Sequence, residues 1–261
     1  MWRKIMAGCG MLAVAANFGA GQEPKEKSGS SAEQYERLVK AHEDGAEPRA
    51  LAARFIELAE QHPRDRAAID AIVWVLTKLR NRPEATRALE LLESNHLQSE
   101  GLAAACRAIE RTFSTRAEKL LQAAVEQSPH KNVRAQACWH WALLLEQQAT
   151  VVEELKKQPE LAERMLQYYG QEYGKHLTSL EREKLAAKRE SVYERLLKSF
   201  AEVPVADSTM GAQAEKRLFQ IRHLSVGRVA PEIQGEDIFG SSFKLSDYRG
   251  KIVVLSFWGH W

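Results

Sequence analysis

From Ala32 to about Leu224 apolar residues return every three or four positions, as in Ile69, Ile72, Val73, Leu76 and Leu79, and again in Ala117, Leu120, Leu121 and Ala124. Residues at that spacing share one side of an α-helix, so each stretch predicts a helix with one buried stripe. No alternating strand pattern interrupts them. Pro48, Pro83 and Pro159 fall where first helical turns belong, because proline lacks only an N–H that the first turn leaves unused. Thr115 with Glu118, and Thr178 with Glu181, have the spacing of a capping box and predict two further helix starts.

Three stretches read helix, proline-marked turn, helix: LAEQHPRDRAAIDAIVWVL, AAVEQSPHKNVRAQACWHWAL and SFAEVPVADSTMGAQAEKRLF. They predict an irregular stack of α-hairpins over 32–224, mainly α, and tetratricopeptide-like at most because the copies do not recur at a fixed period of about 34 residues. An ordinary bundle of amphipathic helices with similar turns fits the same pattern.

At Val226 the period changes. VGRVAPEI is punctuated by glycine and proline, FKLSDYRG joins alternation to a turn, and KIVVLSFW is a nearly unbroken β-branched and aromatic run. Such a run predicts a central strand over Lys251–Trp258, covered on both faces and flanked by neighbours.

The first residues carry a different signal. Arg3 and Lys4 precede the apolar, small-residue stretch Ile5–Ala16 and the turn-like Asn17–Gly21, the layout of a signal peptide over 1–21. The stretch is shorter than the roughly 20 residues a membrane helix needs, so no stable membrane span is expected. Met6-Ala7-Gly8-Cys9 has a lipoprotein-like ending but almost no apolar core before it, so lipid anchoring is not expected. Polar residues 22–31 read as a flexible linker. The protein is expected to be exported, periplasmic or extracellular.

Charge narrows the function classes. The chain has 37 Lys and Arg against 35 Asp and Glu, and removal of Arg3 and Lys4 leaves 35 of each. With no basic field to hold phosphates, nucleic-acid binding is not expected. Cys9, Cys106 and Cys138 make neither a disulfide framework nor a paired metal site, and the scattered histidines have no ligand spacing, so no cofactor or metal is expected. Cys106 and Cys138 lie among small apolar residues and read as buried thiols, although export leaves a disulfide open. Trp141 continues the stripe of Ala137, Cys138, Leu144 and Leu145, with His140 on the other side. Glu181–Lys198 reads as a solvated charged face, and Tyr168, Tyr169 and Tyr173 as packing between helices.

The C-terminal residues carry a resemblance. Val226-Gly227-x-x-Ala230-Pro231-x-Ile233 is followed by Asp237-x-x-Gly240-x-x-Phe243-x-Leu245-Ser246-Asp247-Tyr248-Arg249-Gly250-Lys251 and then by Val253-Val254-Leu255-x-Phe257-Trp258-x-x-Trp261. This order resembles the opening of the redoxin family, the exported thioredoxin-like proteins of the TlpA and AhpC/TSA type. The resemblance covers 36 of 261 residues and leaves the helical part untouched.

It implies thiol-disulfide chemistry, with a protein redox partner or client. In the family a strand ending in W-x-x-W runs into Cys-x-x-Cys at a helix N-terminus. The first cysteine's thiolate attacks a partner disulfide, and the second resolves the mixed disulfide, releasing a reduced partner and leaving a disulfide behind. Trp261 stands just before the position of that first cysteine, so no catalytic residue is carried over, and Ser256 departs from the acidic or amide residue of many relatives. The chain is expected to be the inactive N-terminal portion of a reductase or peroxidase of this kind. The alternative is an exported, non-enzymatic helical module that binds a protein.

Overall fold

The computed structural model describes residues 29–259, so the expected signal peptide and most of the linker lie outside the described residues, as does Trp261. Eleven α-helices dominate these residues. The first seven are α1 (Ser31–Glu43), α2 (Pro48–Gln61), α3 (Arg66–Lys78), α4 (Pro83–Asn95), α5 (Leu102–Glu110), α6 (Thr115–Gln127) and α7 (Lys131–Lys157). After a short 3-10 turn at Pro159–Leu161 come α8 (Ala162–Tyr169), α9 (Gln171–Ser179), α10 (Arg182–Phe200) and α11 (Met210–His223).

The chain zigzags between two layers. Helices α2, α4 and α6 stand side by side in one, α3, α5 and α7 in the other, and α2–α3, α3–α4, α5–α6 and α6–α7 pack across. Helix α1 covers α2 and α3, α10 lies against α7, and α11 pairs with α10. The apolar stripes face one another and form one continuous core from Leu38 to Leu218. Near its front, Phe55 is fully buried and stacked on Trp74, ring centroids 4.0 Å apart, with Tyr35 edge-on at 5.9 Å.

Helix starts show where local sequence rules hold. Pro48 and Pro83 occupy first turns, and Pro159 opens the 3-10 turn. Ser30 caps α1 through a reciprocal box with Glu33. The two capping boxes expected from spacing are absent. Helix α6 is capped one residue earlier, by Ser114 accepting from Arg116 N, and Glu118 is drawn into the interior instead of folding back to the helix start. Thr178 belongs to the last turn of α9, where its hydroxyl donates to the Lys175 carbonyl, and Glu181 precedes α10 without a side-chain cap.

The turn of the third hairpin holds a miniature ladder that the sequence pattern did not suggest. β1 (Pro204–Val205) pairs antiparallel with β2 (Ser208–Thr209), with Pro204 opposite Thr209. Ala206 takes φ 48° in the connecting turn, the left-handed region that two-residue hairpin loops use. The chain then re-enters tightly: Gly211 N donates to the Ala201 carbonyl at 3.0 Å, and a Cβ at Gly211 would lie 2.9 Å from Ala201 Cα. Only glycine fits that crossing of α10 and α11.

Past α11, β3 (Gln234–Glu236) and β4 (Ser242–Lys244) form a hairpin, followed by a 3-10 turn at Leu245–Tyr248. The strand expected at Lys251–Trp258 is not formed; these residues have no regular structure. A central strand exists only where neighbours accept and donate its backbone hydrogen bonds, and among the described residues none lies beside it. No helix of the described residues is long and apolar enough to cross a membrane.

Candidate functional site

The residues that carry the family resemblance build one compact turn. Asp237 Oδ1 accepts from Phe239 N at 2.8 Å and Ser241 N at 2.9 Å, while Gly240 closes the loop at φ 79°. This brings Phe243 opposite Gly235 in the β3–β4 register. Asp247 Oδ2 accepts from Lys244 N at 2.9 Å and starts the 3-10 turn, and Glu232 Oε1 accepts from Ser246 N at 3.0 Å. That last bond holds the Glu232 carboxyl below its ordinary range. Gly250 at φ 80° then redirects the chain, with Lys251 Nζ 5.8 Å from the Tyr248 ring centre.

Beyond this turn the apolar run is open to solvent. Ile252 is 99% exposed, Val254 89%, Phe257 84% and Trp258 86%. Side chains of this kind are more often buried than left in solvent. No titratable or nucleophilic group sits at its end among the described residues.

The cysteines stand elsewhere. Cys106 in α5 and Cys138 in α7 are both free and buried. Cys106 Sγ donates to the Leu102 carbonyl at 3.4 Å, and Cys138 Sγ lies 3.8 Å from the Val192 carbonyl. Burial pushes both thiols up to about 12, so almost no thiolate exists near neutrality. In an iodoacetamide footprint of the native protein read by mass spectrometry, both are expected to remain unlabelled and to react fully once the chain is unfolded. Rapid native labelling of either would contradict the packing described here.

The aromatic and charged residues singled out in the sequence take more connected roles than expected. His140 is not on a free face: its Nδ1 lies 2.7 Å from Oε2 of buried Glu110, whose Oε1 accepts from Gln147 at 2.5 Å. Trp141 is only half-buried and turns its Nε1 to Glu118 Oε1 at 3.3 Å. Glu118 also takes Gln148 Nε2 at 3.3 Å and pairs with Lys188 from α10, whose ammonium lies over the Trp141 ring. Burial by itself raises the Glu118 carboxyl, but the Lys188, Gln148 and Trp141 bonds outweigh it and hold the group below its ordinary value. Gln148 continues to the Tyr173 hydroxyl at 3.4 Å. The charges of Glu181–Lys198, expected to be solvated, stay largely exposed and also bind across helices: Arg195 to Glu126, Arg222 to Glu190 and Glu194.

Tyr168, Tyr169 and Tyr173 gather with Phe113, which lies 4.7 Å from Tyr169 between ring centres. Phe113, Tyr169 and Tyr173 also line a cleft of about 500 Å³ with Arg80 and Arg82. Arg80, Arg107 and Arg111 share a second groove between α3 and α5, of about 270 Å³. Sequence reasoning passed over these arginines, because nothing in their local pattern separates a paired arginine from an unpaired one. Among the described residues, no three His, Cys, Asp or Glu side chains gather as a metal-binding set.

Comparison with known proteins gives a limited likeness. The chain is similar to the thiol-disulfide oxidoreductase ResA of Geobacillus kaustophilus (strain HTA426), 50% identical over 38 residues, and to that of Geobacillus thermodenitrificans (strain NG80-2), 47% identical over 38 residues. Each match covers 15% of this chain, which spans 22% of the length of either relative. No family model matches the chain, and no solved structure matches it.

Proposed function

We propose that these residues belong to an exported thiol-disulfide oxidoreductase, in which a helical body positions a thioredoxin-like domain or recruits its client. In this reading the redox cysteine pair follows Trp261 in the parent protein. The observation that carries it is the apolar run Ile252–Trp258, exposed along its length with Val253 and Leu255 half-covered, directly after a turn built by the redoxin-like residues Asp237, Gly240, Asp247 and Gly250. A central strand of a thioredoxin-like sheet requires such a run and buries it between neighbours. The short likeness to the ResA proteins supports the same chemistry.

Cys106 and Cys138 do not supply that chemistry. A disulfide exchanger needs a thiolate that reaches its partner, and both thiols are buried and protonated. Export rests on Arg3, Lys4 and the apolar stretch Ile5–Ala16.

The test is to sequence the source gene beyond the codon for Trp261 and to assay insulin reduction by the chain of 261 residues and by the extended product. A Cys-x-x-Cys following Trp261, with reduction by the extended protein alone, is the expected result. Insulin reduction by the shorter chain, or a stop codon directly after Trp261, would overturn the proposal and leave the helical body as the functional part.

A further inference from the structure

The arginines on the helical body divide into two groups. Eight among the described residues are paired with a carboxylate on the same or a neighbouring helix, among them Arg66 with Asp70, Arg87 with Glu60, Arg116 with Glu93 and Arg182 with Glu153. Arg80, Arg107 and Arg111 belong to the group without such a pair, and these three gather at one groove. Arg80 Nε reaches only the Thr77 carbonyl, at 3.4 Å, and among the described residues no carboxylate pairs with any of the three. Glu110, which lies between Arg107 and Arg111 in sequence, is turned inward and held by His140 and Gln147.

All three arginines line the groove between α3 and α5. Its floor comes from Val73, Ala104 and Ala108, spaced so that small and β-branched side chains leave a shallow apolar channel. Arg107 and Arg111 stand one helical turn apart along one wall, and Arg80 opposes them. Arg80 is also shared with the cleft of Phe113, Tyr169 and Tyr173, so the channel leads into an aromatic end. A groove with an apolar floor and unneutralised cations on both walls is complementary to an extended chain that alternates carboxylates with apolar side chains.

We propose that this groove is a docking site for an acidic, extended segment of a partner protein, with its carboxylates on Arg107, Arg111 and Arg80 and an apolar side chain on Val73 and Ala108. The proposal names a partner class for the recruiting part of the reading above. Its test uses no redox chemistry, so the two fail separately.

The probe is a short fluorescein-labelled peptide of alternating glutamate and leucine, followed by fluorescence anisotropy, with the lysine–leucine peptide as control. Saturable binding of the acidic peptide is expected, weakened about tenfold in Arg107→Gln/Arg111→Gln and in strong salt, because the contacts are partly solvated ion pairs. Neither arginine is part of a pair that stabilises the fold, so the variant should keep the parent's circular dichroism and thermal midpoint. Arg222→Gln, which removes a paired arginine elsewhere, should bind the peptide as the parent does. Equal binding by the double variant or by the lysine peptide, or an equal loss in Arg222→Gln, would overturn the site. So would polyphosphate binding as tightly as the peptide with the same arginine dependence, since the groove would then respond to charge alone. If the double variant loses its fold, single Arg107→Gln and Arg111→Gln variants carry the same comparison.

Discussion

Phe55→Ala is expected to destabilise the helical body by about 4 kcal/mol, the usual range for removing a fully buried aromatic ring being about 3–5 kcal/mol. Phe55 has no solvent exposure and fills the space between α1, α2 and α3, stacked on Trp74 with Tyr35 against its edge. The loss combines the transfer free energy of the ring, the cavity left behind and the aromatic contacts. These helices are held by one another through a single core, so the cavity cannot close by a simple side-chain shift. For a body of this size the thermal midpoint should fall by roughly 8–16 °C. Phe219, half-exposed on α11, provides the control: Phe219→Ala should change stability by no more than about 0.5 kcal/mol. Similar effects for the two substitutions in urea unfolding followed by circular dichroism would refute the packing argument.

The second large effect concerns Glu118. Glu118→Leu removes the acceptor of Trp141 Nε1, leaves Gln148 Nε2 only the Tyr173 hydroxyl and strips Lys188 of its partner. Removing one member of a buried charged pair costs about 3–5 kcal/mol, but Lys188 is close enough to solvent to rehydrate, so about 2–3 kcal/mol is expected. Glu118→Gln keeps the shape and tests the charge. The carboxyl titrates below its ordinary value of 4.5 in the folded protein, so the unfolded chain takes up the proton first as pH falls. The stability this charge contributes is therefore fully present above pH 4.5 and is lost as pH drops through the lower, folded value. The stability gap between the parent and Glu118→Gln should narrow over that acid window. A gap that stays constant from neutral pH downward would refute the assigned charge pairing.

These two residues also mark how far the sequence could be read. Phe55 falls within the stretch whose apolar spacing predicts helices with buried stripes, but its stacking on Trp74 is made between helices and no spacing records it. Glu118 follows Thr115 at capping-box distance, and that spacing misleads. Its decisive partner, Lys188, is 70 positions away on α10, and no local pattern records a contact made by packing α6 and α10 against α7. His140 failed for the same reason: helical spacing places it off the main apolar stripe, but only the neighbouring α5 reveals buried Glu110 in front of it. The redoxin-like turn was legible because its determinants are local, with Asp237, Gly240, Asp247 and Gly250 each bonding or bending within a few residues. The strand after it was legible as composition but not as structure, since a strand is a property of its neighbours. The arginine groove was not legible at all, because an unneutralised side chain is defined by what fails to face it.

Helix α7 runs for 27 residues and touches α5 and α6 on one side, α9 and α10 on the other. In a stack whose members met only their immediate neighbours, a fault at one end would stay there and the other end would hold its shape. Here α5 and α6, earlier in the chain, and α9 and α10, later in it, lean on one shared beam. Distance along the chain is thus a poor measure of mechanical distance in this protein, and a disturbance that bends α7 reaches α5, α6, α9 and α10 in a single step.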